Sequence, residues 1–263
     1  MQVRIIAQTK IDPDAMHEIT KGKWSPEEQD DDASALAEFS GRQCYESWNR
    51  PNPETATNRG YLANVIEHEH FSVLEHGSVS MHIEGVSRSL THELVRHRHT
   101  SPSQLSQRYV KLYQGDKFVV PPLYHEDWDF AVDEDTLSVS VTQEILETLW
   151  SQAVREYDRL VAMWQPRLMQ SGVDPHRARK MAREAARCVL PNMTPTALVL
   201  TGNHRAWRDL LIKRGSIHAD AEIRALAVEV FRLLAAIEPY LYQDFRVVMT
   251  DGVLTIDKAS DGN

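Results

Sequence analysis

Residues 87–109, SRSLTHELVRHRHTSPSQLSQRY, carry Arg88, Arg96, Arg98 and Arg108, interleaved with His92, His97 and His99. The planar fork of arginine offers paired donors that match phosphate oxygens, so four arginines this close together read as an anion-binding segment. Ser101, Ser103, Gln104 and Ser106 follow, short polar groups suited to phosphate oxygens and base edges, and Tyr109 closes the run. A second basic group, Arg205, Arg208, Lys213 and Arg214, lies farther along. For Arg208 and Lys213 the expected role is solvation of a helix face. Arg214, at a helix end, would by itself complement the helix dipole.

Other chemistries are poorly supported. His68, His70 and His76 suggest a metal, but i and i+2 point to different faces of a helix. No HExxH or CxxC pattern is complete, so no metal site is expected. There is no GxSxG for a nucleophilic serine, and no GxGxxG or P-loop to cradle a nucleotide. Cys44 and Cys188 have apolar or aromatic neighbours and read as core fillers.

The elements that must hold these residues follow from periodicity. Val3 to Ile11 reads as a first strand, Ala33 to Ser40 as a short helix closed by Gly41, and Thr57 to Glu69 as a helix. Val79, Met81 and Ile83 alternate, which predicts a half-buried strand over 77–85. From Val86 the period becomes helical through Leu90 and Leu94. That would put Arg88, His92 and Arg96 on one face, with 99–107 as a loop and 109–120 extended. A long helix from about Thr136, apolar at Ile145, Leu149, Ala153, Tyr157, Leu160 and Trp164, is expected to kink or end at Pro166. Asp174-Pro175 starts another helix, which ends before Pro191. Ala197 to Leu200 forms a short strand, Asn203 caps a helix to Arg214, and a last helix carries Ile223 to Leu241. Asp251-Gly252, between RVVMT and VLTI, predicts a two-residue hairpin.

The chain has 263 residues, 42% of them apolar and 25% charged, with a net charge of −9. This suits a globular protein with a sizeable core. No run approaches the roughly 18 to 20 apolar residues of a membrane span, and the N-terminus lacks a signal-peptide core. Two cysteines exclude a disulfide framework and fit a reducing cytoplasm. A nucleic-acid coat protein is normally basic, so anion binding by this acidic chain must be local. The expectation is one mixed α and β (α+β) domain over 1–250, a largely antiparallel central sheet flanked by helices, then a hairpin end and frayed tail over 251–263.

Arg96-His97-Arg98, seven residues and then Ser106 resemble the RHR-x7-S signature of the flavin-dependent thymidylate synthases, especially the actinobacterial branch. HFSVLEH (70–76), SRSLTHEL (87–94), ARCVLP (186–191), TGNHRAWRDLLIKR (201–214) and HADAEIR (218–224) extend the resemblance over most of 60–225. It implies a homotetramer with sites shared between subunits, and conversion of dUMP to dTMP. Methylenetetrahydrofolate would be the one-carbon donor, with reducing equivalents passing from NADPH through FAD.

By position, the resemblance implies dUMP contacts at Arg88, Glu93, Leu94, Val95, Arg96, Gln104, Leu105, Ser106, Gln107, Arg108, Arg187 and Arg214. It implies FAD contacts at His70, Ser72, Arg96, His97, Arg98, Gln104, Asn203, His204, Arg205 and Asp209. Arg214 matches the arginine thought to favour ionisation at uracil N3. A guanidinium beside N3 and O4 would stabilise charge developing on the ring and make C5 a better nucleophile. Ser106 more plausibly holds nucleotide than attacks it, because no adjacent base is evident. Two positions depart from the family: Ser103 stands where many members have Asn, and Asp209 where relatives have His or Asn. A carboxylate near flavin phosphate would be repelled, so Asp209 is expected to turn away, meet a flavin hydroxyl or pair with an arginine. The competing readings are a nucleic-acid-binding module using the same arginines, and a family member that binds nucleotide without turnover.

Overall fold

The computed structural model describes residues 1–50, 52–111, 118–124 and 139–258. In chain order its elements are β1 (Gln2–Gln8), α1 (Pro13–Ile19), α2 (Asp32–Gln43), α3 (Asn58–Glu67), β2 (Ser78–Ser87), α4 (Arg88–Leu94), β3 (Thr100–Gln104), α5 (Val139–Gln170), α6 (Pro175–Ala186), β4 (Pro195–Asn203), α7 (His204–Arg214), α8 (Ala221–Ile237), β5 (Phe245–Thr250) and β6 (Val253–Lys258). An antiparallel sheet has the order β1-β2-β4-β3, and β5-β6 is a separate hairpin. The mixed α+β class expected from the sequence is the class observed.

The chain divides into two compact units, each drawn from distant stretches. One takes residue 1 with 84–93 and 103–198; the other takes 2–83, 94–102 and 199–263. In the first unit α5 lies on α6. Asp174 accepts from the amides of His176 and Arg177, with Pro175 in the first turn, so α6 starts where its cap dictates. Ala178, Ala182 and Ala186 recur every four residues and form the buried stripe of α6. In the second unit the alternation of Val79, Met81 and Ile83 buries one face of β2. Trp207, Leu210 and Leu211 of α7 and Ile223, Leu226, Ala227, Val230 and Leu234 of α8 supply much of the core. A buried carboxylate, Glu238, accepts from the Ala33 and Ser34 amides (2.9 Å each) and the Ser34 hydroxyl (2.7 Å), satisfying the start of α2.

Asp251 and Gly252 have φ of 49° and 79°, both in the left-handed region, and join β5 to β6 with Thr250 opposite Val253. That is the tight hairpin the dipeptide predicts. Ile256 and Thr255 on β6 are buried, and the Ile256 amide donates to the Gly215 carbonyl at 2.8 Å.

Several local expectations are corrected. Gly41 does not end α2, which continues to Gln43; a Cβ at Gly41 would collide with the Tyr61 hydroxyl. Val86 and Ser87 finish β2 rather than open a helix, and α4 stops at Leu94. The His97 amide then donates to the Leu94 carbonyl at 3.2 Å. This tight turn leaves Arg96 off the helix, so it does not share a helical face with Arg88 and His92. Residues 100–104 form β3 rather than a loop. Pro102 is tolerated because β3 lies at the sheet edge. Residues 107–109 form a turn, so no extended stretch begins at Tyr109. Helix α5 runs through Pro166 to Gln170; it buries Trp150 and Tyr157, while Ile145, Leu149 and Trp164 are about half exposed. Helix α8 ends at Ile237, ahead of Pro239, so Leu241 lies in the following turn. Cys44 and Cys188 are exposed and fill no core. The expected start of the long helix near Thr136, the middle of the 109–120 stretch and the tail at 259–263 lie outside the described residues.

Candidate functional site

Helix α7 organises the candidate site of the second unit. Asn203 accepts from the Ala206 amide at 2.8 Å, which fixes the first turn. Helical spacing then lays Arg205, Asp209 and Lys213 along one outer face, with His204 and Arg208 turned inward. Against this face lies a cleft of about 330 Å³, lined by Arg205, Asp209, Lys213, Asn203, Ala206, His99 and Glu75. An adjoining hollow of about 310 Å³ shares His99, Asp209 and Lys213 and adds Arg96, His97, Arg98 and Arg214. Four arginines and lysines face one carboxylate in that hollow, a strongly positive setting on an acidic protein.

His97 and Arg214 are joined directly. Arg214 Nε donates to His97 Nε2 at 2.9 Å, and His97 Nδ1 lies 3.8 Å from Asp209 Oδ2. Burial, with the Arg214 charge next, lowers the His97 pKa; Asp209 pulls it the other way. Asp209 pairs with Lys213 at 2.8 Å, so its partner is a lysine rather than the arginine considered from the sequence.

The first unit holds a second cationic place. Burial, and then the charge of Arg187, depress the Arg88 pKa, so the two guanidinium groups act on each other. An anion between like charges relieves their repulsion. Arg88 opens α4, and its amide donates to the Thr194 carbonyl at 3.1 Å. Gln104 donates to Thr91 Oγ1 at 2.9 Å and to Thr196 Oγ1 at 3.4 Å, which locks its amide. The Leu105 amide donates to the Ala197 carbonyl at 2.9 Å. Ser106 Oγ accepts from the Arg108 amide at 3.4 Å, and the Arg108 guanidinium sits 3.8 Å from Glu184. Gln107 is buried, Glu93 half-buried and Arg187 exposed.

Most of the residues singled out in the sequence thus fall into two groups, one in each unit. Leu94 is a core residue, whereas Val95 is exposed. Asn203 and Arg205 line the cleft. His204 does not: it is buried, and its Nδ1 is 2.8 Å from the Tyr242 hydroxyl. Ser72 and His70 are exposed, and it is Glu75, from the same short turn (Phe71–Glu75), that lines the cleft and pairs with Arg205. Arg208, expected as surface solvation, is 3% exposed. It makes a two-pronged contact with Asp244 at 2.7 and 2.6 Å, donates to the Leu241 carbonyl at 2.6 Å and lies over the Phe245 ring. That pairing lets a cation be buried. Lys213, His99 and Glu75 were not singled out as site residues. Only Lys213 carried a usable signal, its i+8 spacing from Arg205.

The α+β scaffold thus carries clusters of arginine, lysine and histidine in both units. Residues 27–240 match the family model described as thymidylate synthase complementing protein. A Mycobacterium tuberculosis protein named flavin-dependent thymidylate synthase is 49% identical over 223 residues, 84% of each chain. A protein of the same name from Mycolicibacterium gilvum is 46% identical over 256 residues, 96% of this chain and 93% of the other; one from Mycobacterium avium is 44% identical over 255 residues. The chain belongs to the thymidylate synthase complementing protein family. Among the described residues, no helix is long and apolar enough to cross a membrane, and no cluster of His, Cys, Asp and Glu could hold a metal ion.

Proposed function

We propose that this protein is a flavin-dependent thymidylate synthase. In this reading it replaces the C5 hydrogen of dUMP with a methyl group to give dTMP. Methylenetetrahydrofolate is the one-carbon donor and NADPH the reductant. The observation that carries the reading is the guanidinium of Arg214 held by His97, both lining one hollow with Arg96 and Arg98 of the RHR-x7-S segment. A nucleic-acid module needs no such fixed donor, and the net charge of −9 opposes it.

The residues present fit FAD. The cleft combines cations for a diphosphate (Arg205, Lys213) with acceptors for ribityl and ribose hydroxyls (Asp209, Glu75). Asn203, Arg205, Arg98 and His99 would hold it; the His204 ring meets Tyr242 and its amide donates to the Gly77 carbonyl at 3.1 Å. When bound, the flavin supplies the reducing equivalents that complete a methyl group. In this reading subunits share each site, so residues of this chain from different copies would bind and orient the nucleotide. Arg88 and Arg187 would neutralise its phosphate, and the Ser106–Arg108 turn would hold the sugar-phosphate. Arg214 would donate to uracil O4 and, once the N3 hydrogen has passed to solvent, to N3, so that the negative charge of the ionised ring is stabilised and C5 becomes nucleophilic. An arginine remains protonated throughout, so its contribution is electrostatic and no proton leaves it.

A homotetramer belongs to the same reading. Ile145, Leu149 and Met163, close to whole turns apart, give α5 an exposed apolar side of the kind that subunit contacts cover. A cytoplasmic location, a single catalytic domain over 1–250 and the absence of nucleic-acid partners complete the proposal. The test is direct. Purified protein should be yellow, should scatter light as a tetramer, and should convert dUMP to dTMP only with methylenetetrahydrofolate and NADPH present. A colourless protein that binds long nucleic acid with steep salt dependence would overturn the proposal.

A further inference from the structure

Asp209 stands on the outer face of α7, where its evident role is the i, i+4 ion pair with Lys213. It also faces the imidazole of His97 at 3.8 Å from Nδ1. The other edge of that ring is already committed. Nε2 lies 2.9 Å from Arg214 Nε, which carries a hydrogen and has no lone pair to offer. Nε2 must therefore be the acceptor, and in the neutral ring the single hydrogen sits on Nδ1. The Asp209 carboxylate, 3.8 Å from Nδ1, is outside hydrogen-bond distance but close enough for its charge to favour a hydrogen on that nitrogen. The remaining charged or titratable groups lining the hollow are Arg96, Arg98 and His99 from the segment of His97, with Lys213 and Arg214 from α7. Asp209 is thus the one anion among the described residues of this lining.

We infer that Asp209 is a positioning residue for Arg214, acting through His97. The carboxylate favours the Nδ1–H form of the imidazole, and the lone pair thereby kept on Nε2 holds the Arg214 guanidinium by its Nε–H. An Nε2–H ring would set hydrogen against hydrogen and release the arginine. The device spans three residues whose order along the chain, 97, 209 and 214, gives no hint of it. Its consequence for turnover rests on the proposed role of Arg214 toward uracil; its consequence for the imidazole does not.

The experiment compares wild type, Asp209→Ala and Asp209→Asn. Histidine is labelled with ¹⁵N, the His97 signals are identified by their loss in His97→Gln, and long-range couplings report which nitrogen bears the hydrogen. Wild type should show Nδ1–H, and Asp209→Ala a mixture. Asp209→Ala should also lose roughly tenfold to a hundredfold in kcat for dTMP formation, the scale of a displaced catalytic group. Its KM for dUMP and its melting temperature should change little. Asp209→Asn should recover most of the rate, because its amide oxygen keeps a negative dipole beside Nδ1–H although the charge on Lys213 is no longer balanced. An Nε2–H form in wild type overturns the inference, as does an Asp209→Ala protein with unchanged kcat. So does Asp209→Asn as impaired as Asp209→Ala, which would assign the effect to the Lys213 pair. If wild type makes no dTMP, the functional proposal fails while the imidazole measurement still decides this one.

Discussion

His97 and Arg214, 117 positions apart in sequence, share a hydrogen bond of 2.9 Å from the guanidinium Nε to the imidazole Nε2. The bond takes the Nε–H of Arg214 and, with the side-chain stem, fixes the plane of its guanidinium. A surface arginine at a helix end becomes a preorganised donor.

Arg214→Lys separates the two readings of that arginine. Lysine keeps the positive charge at the end of α7, so the dipole contribution of about 0.3 to 1 kcal/mol largely survives and the melting temperature should barely move. It lacks both the Nε–H that His97 holds and the paired donors of the fork. Turnover of saturating dUMP should fall roughly a hundredfold or more, with NADPH oxidation less affected. A near wild-type rate would return Arg214 to a purely structural role.

The bond also predicts an acid limit on turnover. Protonated His97 carries hydrogens on both nitrogens and cannot accept from Arg214. Burial and the Arg214 charge place the His97 pKa below its ordinary 6.5, so the bond survives through neutral pH and is lost only as pH falls below that value. A kcat profile flat from neutrality to pH 6.5, then falling, is expected; a fall beginning well above 6.5 contradicts it.

Arg187→Ala should weaken dUMP binding about tenfold or more, since a charge-assisted bond contributes about 1.5 to 3 kcal/mol. Because Arg187 also repels Arg88, the free protein should be no less stable than wild type. Calorimetric titration and a melting curve on the same sample check both halves, and an unchanged dissociation constant removes Arg187 from the site.

Arg208→Ala should be among the most destabilising single changes in α7. It strands the largely buried Asp244 carboxylate and the Leu241 carbonyl, and losing one partner of a buried pair costs about 3 to 5 kcal/mol. Lysine should not rescue it, having no fork to span both carboxylate oxygens. Denaturant unfolding measures the loss; a change below 1 kcal/mol, the range of an exposed pair, would contradict the buried-pair account.

His204 and Glu238 should oppose each other in acid. Burial lowers His204 from 6.5 to about 4, so the unfolded chain binds the extra proton between those values and stability is lost as pH falls through that window. Burial raises Glu238 from 4.5 to about 7, so here the folded chain holds the extra proton and stability is lost as pH rises through 4.5 to 7. Each is worth on the order of 3 kcal/mol, with opposite sign. Glu238→Gln should unmask the histidine, giving a melting temperature that drops more steeply than wild type between pH 6.5 and 4.5. Parallel curves for the two proteins would contradict this.

Signals carried by neighbours in sequence were legible without the structure. Asn203 capping α7, Asp174-Pro175 opening α6, the β2 alternation and the Asp251-Gly252 hairpin each depend on residues within a few positions, and each formed as expected. The RHR-x7-S spacing likewise pointed to the family. What tertiary structure alone decided is which cations are solvated, which are structural and which are held for use. Arg208 and Arg214 lie six positions apart on one helix and look alike in sequence. Arg208 is buried because Asp244 arrives from beyond α8, and Arg214 is fixed because His97 arrives from the turn after α4. Nor could spacing place residues 100–104 in a strand, since their ladder is completed by β4. A charge or a backbone amide can be taken from water only where a partner replaces the lost hydration, and chain folding, not local periodicity, delivers partners from far along the sequence.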